Sequence, residues 1–239
     1  LRNFSNLKSI VCGKLYLHND FKYINCKYLV NCDPFFLTPF FLNLKNQYGA
    51  DPNSKNKKFL TYDPIALDLK NFINKNTNIN FLVDITNYPF VKDNNVFYIS
   101  RFFREYKLNK IFNKLNSYEM FGQTLPIAIT LAIFLGFKKI YLVGCDYTHF
   151  PSRNSHWFEN QLPQIWYQKH LTHMKAFFQE ASKLIKITTI TLDGVSNNLE
   201  YITYKKFTNT NPIYYENSKL LNDQNIKILS SSKWFGYKT

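Results

Sequence analysis

The stretch Gln123–His149 constrains the fold of this 239-residue chain more than any other. It consists of QTLPIAITLAIFLGFKKIYLVGCDYTH, which predicts an apolar helix, a tight turn, a buried strand and a polar loop. Thr124 is suited to cap the helix, and Gly136 stands where a left-handed residue would end it. The apolar run Ile140–Val143 is typical of a central parallel strand covered on both faces. Ligands of open α/β sheets bind at the carboxyl ends of strands, so we expect the loop Gly144–His149 to form one wall of an active site. The alternative is that this loop only makes a turn.

Strand-like and helix-like segments alternate along the chain, which favours a parallel α/β sheet. The predicted strands are Ser9–Cys12, Lys27–Cys32, Phe81–Ile85, Val96–Ile99 and Ile187–Leu192. The predicted helices are Phe35–Leu44, Ala66–Ile73, Phe102–Leu115 and Pro163–Ile185. We therefore expect a Rossmann-like, mostly parallel sheet with helices on both faces. Residues 1–203 are assigned to this domain, with a lid segment at about 150–170, and residues 204–239 to an irregular C-terminal arm.

The chain is strongly basic, with 30 Lys and Arg against 16 Asp and Glu and a formal charge of +14. This excess favours an anionic partner, such as a nucleotide, an acidic sugar, a membrane surface or a nucleic acid. Nucleic acid ranks last because no recognition motif is present. The four cysteines form no CxxC pair, which favours reduced thiols in a cytoplasmic protein.

Most motifs of nucleotide and hydrolase chemistry are absent. The sequence has no GxxxxGK[ST], GxGxxG, GxSxG or HExxH motif, and no Asp-x-Asp pair of the kind that holds a metal on a diphosphate sugar. His170 and His173 lie three residues apart, but no third ligand follows at a diagnostic spacing. We therefore expect neither a metal nor a cofactor. A leaving group with a single phosphate needs less charge neutralisation, which lysines, tyrosines or backbone amides can supply.

Four of the five histidines fall between positions 149 and 173. Histidine is the side chain best suited to take a proton from a hydroxyl near neutral pH. We expect one member of this set to act as a general base, while surface positions explain the others. Arg153 is a candidate for two-pronged pairing with a carboxylate or phosphate. The histidines concerned are His149, His156, His170 and His173.

At these residues the chain resembles a known group. The segment GQTLPIAITLAIFLGFKKIYLVGCDYTH is similar to one shared by the bacterial sialyltransferases of glycosyltransferase family 42 and by the related domain named after archaeal hydroxymethylpterin diphosphokinase. The stretch KYLVNCDPFF upstream also fits that family's strand order. The resemblance covers roughly Ile10 to Tyr201 and implies a variant of the GT-A-like glycosyltransferase fold that binds a nucleotide sugar.

The resemblance also implies roles for individual residues. Gln123 and Thr124 match the polar residues that contact the nucleotide at the helix start, and Asp33 falls where the family has an Asn near the donor phosphate. The general base corresponds by position to His170, with Gln168 as a second counterpart, or to His156, and this choice stays open. Asp146, Tyr147 and Thr148 match the loop that holds the cytidine monophosphate (CMP). Beside this carry-over, we expect Gly144, His149 and Arg153 to be further substrate-binding residues.

The chain departs from the family at its start. The family begins with a strand and a Gly-Asn-Gly-Pro-Ser loop, whereas this sequence begins after that element. Gly13 stands where an Asn is expected. Either the sequence lacks the first βα unit, or part of the donor site is lost and the activity is impaired or changed.

These observations predict a metal-independent glycosyltransferase that moves an acidic sugar from a CMP-sugar donor to a cell-surface glycan acceptor. One alternative is a diphosphokinase-like enzyme that uses ATP and Mg²⁺, and the other is a non-catalytic relative that binds nucleotide or glycan. We expect a cytoplasmic protein, with peripheral contact at the inner membrane face as an open alternative. The sequence is also compatible with a homo-oligomer.

Overall fold

A computed structural model describes most of the chain. The described residues are 1–41, 60–102, 119–121, 123–145, 148, 157, 169–196, 198–213 and 217–232. Their strands are β1 (Lys8–Cys12), β2 (Asn25–Asn31), β3 (Phe40–Phe41), β4 (Leu60–Thr61), β5 (Asn80–Asp84), β6 (Val96–Phe102), β7 (Glu119–Phe121), β8 (Lys139–Val143), β9 (Lys186–Thr191) and β10 (Glu200–Thr203). Their α-helices are α1 (Pro64–Lys75), α2 (Thr124–Phe134), α3 (Lys169–Ala181), α4 (Tyr204–Thr208), α5 (Asn217–Leu220) and α6 (Asp223–Ser231).

Two parallel sheets form the framework. One has the strand order β1-β2-β5-β6-β7 and the other the order β10-β9-β8. Every neighbouring pair in both sheets is parallel, while β3 and β4 make a separate antiparallel pair of two residues each. The prediction of a Rossmann-like α/β fold with a mostly parallel sheet is therefore confirmed. Because the strands are parallel, their carboxyl ends gather at one edge of each sheet.

The larger sheet is covered on both faces. Alternate residues of its strands face opposite sides, so Leu29 and Phe81 join the core beneath α1, while Val30 and Leu82 join a second core with Ile127 of α2. The side chains of α3 pack with α2 and with β8 and β9 in a third cluster. These contacts confirm that helices lie on both faces.

Helix α2 is buried as predicted, but its cap differs. Residues 126–132 are all buried, and Gly136 adopts the left-handed conformation at φ 78°. The expectation that Thr124 caps the helix is wrong, because Thr124 is already the first helical residue. Gln123 occupies the cap position, and its side chain makes no capping hydrogen bond. Pro126 falls in the first turn, where no intrahelical N–H bond is lost.

Strand β8 is less enclosed than predicted. It is the outer strand of the three-stranded sheet, Leu142 is its only buried residue, and Val143 is 42% exposed. The expectation of a central strand covered on both faces is therefore wrong. The apolar run has a different cause: Ile140 and Leu142 pack into the α3 cluster, while Tyr141 lies against Phe207 from the other side, with ring centroids 4.7 Å apart.

The helix predicted at Phe35–Leu44 is also wrong over its described part. Residues 33–38 form turns, and Phe40–Phe41 is a strand. Phe36 and Leu37 are nevertheless buried in the main core, so the hydrophobic pattern marks burial correctly but not the backbone conformation. Residues 42–44 lie outside the described ranges.

The C-terminal segment is not an irregular arm. Strand β10 leads directly into it, and it contains the helices α4, α5 and α6. The side chain of Asn222 caps α6 by accepting a hydrogen bond from the Asn225 N–H at 2.7 Å. Leu221 and Leu229 are buried in the same core as α1, against which α6 packs. This segment therefore belongs to the main core.

Two predictions fall largely outside the described residues. The helix Phe102–Leu115 lies there except for its first residue, and so does the lid at about 150–170 except for Trp157 and the start of α3. In the ranges that the structure describes, none of the helices combines the length and apolar character that crossing a bilayer requires.

Candidate functional site

Polar side chains collect at the carboxyl edge of the larger sheet. Lys14 follows β1, Asp33 follows β2, and Asp84, Thr86 and Asn87 stand at the end of β5 and just after it. These three strands are neighbours in the sheet, and all are parallel. Their carboxyl ends therefore bring these side chains together where ligands of such sheets bind.

A buried ammonium group stands at this edge, beside Asp33. Lys14 Nζ lies 3.1 Å from Asp33 Oδ2 and 4.6 Å from the centroid of the Phe36 ring. The Lys14 side chain is only 8% exposed, whereas that of Asp33 is 44% exposed. Gly13, at φ 63°, turns the chain between β1 and the lysine, and its N–H donates to the carbonyl of Val30. The buried cation is thus held by an acidic partner that faces solvent.

A hydrogen-bonded turn after β5 fixes the loop that carries Asp33. Asp84 Oδ1 accepts from the N–H and the hydroxyl of Thr86, at 3.0 and 2.6 Å. The Thr86 hydroxyl in turn accepts from the Phe35 N–H at 2.7 Å. Asn87 accepts from the Leu37 N–H at 2.7 Å and donates to the Asp33 carbonyl at 3.3 Å. These bonds hold Phe35 at φ 55°, a conformation that costs a bulky residue energy and needs such support.

The carboxyl edge of the smaller sheet is also polar. Gly144 follows β8 at φ 61°, and a Cβ there would meet nothing within 4 Å, so the backbone conformation alone favours glycine. The Thr148 hydroxyl donates to the Cys145 carbonyl at 2.6 Å and lies 3.1 Å from the Thr189 hydroxyl of β9. Thr148 is 1% exposed, and its hydroxyl lies between the Cys145 carbonyl and β9.

Of the other residues predicted for the nucleotide site, the structure describes two. Gln123 is exposed and Thr124 half-buried at the start of α2, which follows the end of β7 and therefore begins at the carboxyl edge. The positions of Asp146, Tyr147, His149, Arg153 and His156 lie outside the described residues.

His170 and His173 belong to α3, but their side chains are outside the description. Trp157, from the predicted lid, is described. Its ring lies 5.1 Å from that of His18 and packs against the α1 core. The structure thus places Asp33, Gln123, Thr124, Gly144 and Thr148 at the carboxyl edges, and the grouping of the histidines stays a prediction.

Sequence reasoning missed Lys14, Thr86 and Asn87. The signal for Lys14 was a lone cation after a glycine that ends a strand, amid apolar residues. The signal for the other two was the sequence Asp-x-Thr-Asn directly after a buried strand, which is typical of a side-chain-stabilised turn.

A groove elsewhere in the molecule has a different character. It has a volume of about 640 Å³ and lies at the opposite, amino end of β9, with Lys183, Lys186, Asn198 and Glu200 among its lining residues. Both lysines are already paired, Lys183 with Glu180 at 2.7 Å and Lys186 with Glu200 at 3.0 Å. We favour the carboxyl edge as the site because its geometry matches how parallel sheets bind ligands.

Two of the thiols are unreactive near neutral pH, and the described side chains form no metal cluster. Burial raises the pKa of the Cys12 and Cys26 thiols to about 12, so neither is a nucleophile near neutral pH. None of the four cysteines forms a disulfide within the described part of the chain. Among the described side chains, no group of three or more His, Cys, Asp or Glu residues is arranged to hold a metal ion.

Comparison with known proteins returned no match. A scan against protein-family models, a search of curated proteins and a search of solved structures each found nothing similar to this chain.

Proposed function

We propose that this protein is a metal-independent glycosyltransferase. It moves an acidic, sialic acid-like sugar from a CMP-sugar donor to a glycan acceptor in cell-surface polysaccharide or lipooligosaccharide synthesis. The observation that carries the proposal is the polar carboxyl edge of the parallel sheet, at which a buried lysine, an outward-facing carboxylate and the start of α2 all lie. The resemblance of the segment around α2 and β8 to sialyltransferases, together with the charge of +14, agrees with an anionic nucleotide donor.

In the proposed reaction, an acceptor hydroxyl attacks the anomeric carbon of the donor sugar. The bond between that carbon and the phosphate oxygen breaks, and CMP leaves with the electron pair. A histidine of the lid segment (His156, His170 or His173) takes the hydroxyl proton. Tyr147 and backbone N–H groups stabilise the leaving phosphate. Metal independence rests on the lack of an Asp-x-Asp pair in the sequence.

We further propose that the protein acts in the cytoplasm, at the inner face of the membrane. The basic surface would suit both the anionic donor and lipid-linked glycan acceptors.

Ligand-dependent thermal unfolding tests this proposal. A ligand at 100 times its Kd stabilises the folded state by about 2.7 kcal/mol, which for a chain of this size raises Tm by roughly 5–10 °C. We expect CMP to raise Tm in this range, and cytidine without a phosphate to raise it less. A rise with ATP and Mg²⁺ but not with CMP would instead support the diphosphokinase-like alternative.

Turnover separates an enzyme from a non-catalytic relative. We expect CMP release from a CMP-activated acidic sugar, and a loss of about 100-fold or more when the base histidine is replaced by Ala. If His156→Ala, His170→Ala and His173→Ala each kept full turnover, the proposed base would be wrong. Binding of CMP without any turnover would favour the non-catalytic alternative.

A further inference from the structure

We propose that Asp33 accepts a hydrogen bond from the ribose 2′-hydroxyl of the bound nucleotide, with Lys14 holding its carboxylate in place. This inference deepens the proposed function and rests on it for the presence of a nucleotide. It makes the pair of Lys14 and Asp33 a specificity determinant for ribonucleotides over 2′-deoxyribonucleotides.

The pair of Lys14 and Asp33 turns its acidic member toward solvent. Asp33 Oδ2 is bound to Lys14 Nζ at 3.1 Å, and Asp33 Oδ1 makes no hydrogen bond to any described residue. The carboxylate is 44% exposed while the lysine is 8% exposed. A ligand that arrives from solvent therefore meets a carboxylate oxygen, with the positive charge behind it.

The hydrogen-bonding chemistry of the Asp33 carboxylate favours a hydroxyl group as its partner. An ionised carboxylate only accepts hydrogen bonds, whereas the asparagine that the resembling family has at this position can also donate them. A phosphate placed here would face a negative charge whose neutralising lysine is already engaged. Hydroxyl groups donate readily to a carboxylate, and such charge-assisted bonds are among the stronger ones. The position thus fits a hydroxyl-bearing part of the ligand better than its phosphate.

The position of Asp33 in the fold is that of a residue that contacts a ribose. Asp33 follows the second strand of the sheet, 20 residues after Gly13, which turns the chain at the end of the first strand. In dinucleotide-binding α/β folds, an acidic residue at about this distance hydrogen-bonds the ribose. Hydroxyls of the donor sugar or of the acceptor share the same chemistry, but this place in the sheet favours the ribose.

The backbone of Asp33 is fixed before any ligand binds. Its carbonyl accepts from Asn87 Nδ2 at 3.3 Å and from the Phe36 N–H at 3.4 Å. The Phe36 ring is buried and lies 4.6 Å from the lysine Nζ. This support lowers the conformational cost of binding a nucleotide. It also fixes the position of the Asp33 carboxylate, from which a ribose hydroxyl is recognised.

The test is calorimetric binding of four nucleotides: CMP, 2′-deoxy-CMP, AMP and 2′-deoxy-AMP. We expect the unmodified protein to bind CMP about tenfold or more tightly than 2′-deoxy-CMP, the effect of one lost hydrogen bond to a charged group. In Asp33→Ala the affinity for CMP falls to that for 2′-deoxy-CMP, which itself stays unchanged. The double variant Lys14→Met/Asp33→Ala removes both charges, avoids an unpaired buried ammonium, and should lose the discrimination in the same way.

Asp193→Ala is the matched control, since Asp193 is an exposed aspartate just after β9 in the smaller sheet. This variant should keep the ratio of the two affinities. Equal affinity of the unmodified protein for ribo- and deoxynucleotides would overturn the inference. Equal weakening of both by Asp33→Ala would do the same, as would retained discrimination in the double variant.

The four nucleotides also separate this inference from the proposed function. Discrimination between AMP and its deoxy form, without binding of CMP, would keep the role of Asp33 and overturn the CMP-sugar proposal. Binding of CMP without ribose discrimination would keep the function and overturn the role of Asp33. Binding of none of the four would overturn both.

Discussion

At the scale of single residues, Phe35 is the most constrained position of the candidate site. It is 60% exposed, and its backbone is held at φ 55° by hydrogen bonds on both sides. A left-handed conformation costs a non-glycine residue about 1–2 kcal/mol. We predict that Phe35→Gly unfolds with a free energy about 1 kcal/mol higher than Phe35→Ala, as measured by urea denaturation. Both variants remove the same ring contacts, so their difference reports the backbone.

Tyr88 provides the control for this prediction. It is 52% exposed but has helical angles, φ −51° and ψ −41°. At such a position glycine is less stable than alanine by about 0.5–1 kcal/mol, so the sign of the Gly–Ala difference should reverse. Equal stability of Phe35→Gly and Phe35→Ala would contradict the strained conformation of this loop.

At the scale of secondary-structure elements, α6 determines whether the C-terminal segment is part of the core. Leu229 is fully buried against the α1 side of the sheet. We predict that Leu229→Ala lowers the free energy of unfolding by about 2–4 kcal/mol, because it removes buried apolar contacts and leaves a cavity. Chemical denaturation monitored by circular dichroism measures this loss.

The exposed residue Lys227 on the same helix is the control for α6. Lys227→Ala should change stability by no more than about 0.5 kcal/mol. If Leu229→Ala were as mild as this control, α6 would not be packed into the core.

At the scale of the whole molecule, the layered α/β class was predictable from the sequence. The apolar runs that include Val30 and Leu82 alternate with helical segments such as α1. It could not predict α6, since the contacts that bury Leu229 come from α1, more than 150 residues earlier in the chain (229 − 75 = 154). The prediction of a helix directly after β2 was wrong for a related reason. Phe36 and Leu37 carry a core pattern, but the backbone of this loop is decided by hydrogen bonds that Thr86 and Asn87 accept from the N–H groups of Phe35 and Leu37.

In the candidate site, too, local features were predictable from the sequence and long-range contacts were not. Strand ends were predictable, so Asp33 and Gly144 could be placed at carboxyl edges from local patterns. The burial of Lys14 was not, because it depends on a partner 19 residues away and on the ring of Phe36. Long-range polar pairing leaves little trace in local composition, and that is where sequence reasoning fell short.

We propose that a cytidine nucleotide binds at the carboxyl edge of the parallel sheet. A crystal structure of the protein with CMP tests it most directly. We expect density for CMP at this edge, with its ribose 2′-hydroxyl within hydrogen-bond distance of the Asp33 carboxylate. Density for CMP only in the groove at the amino end of β9, with the carboxyl edge free of nucleotide, would contradict it.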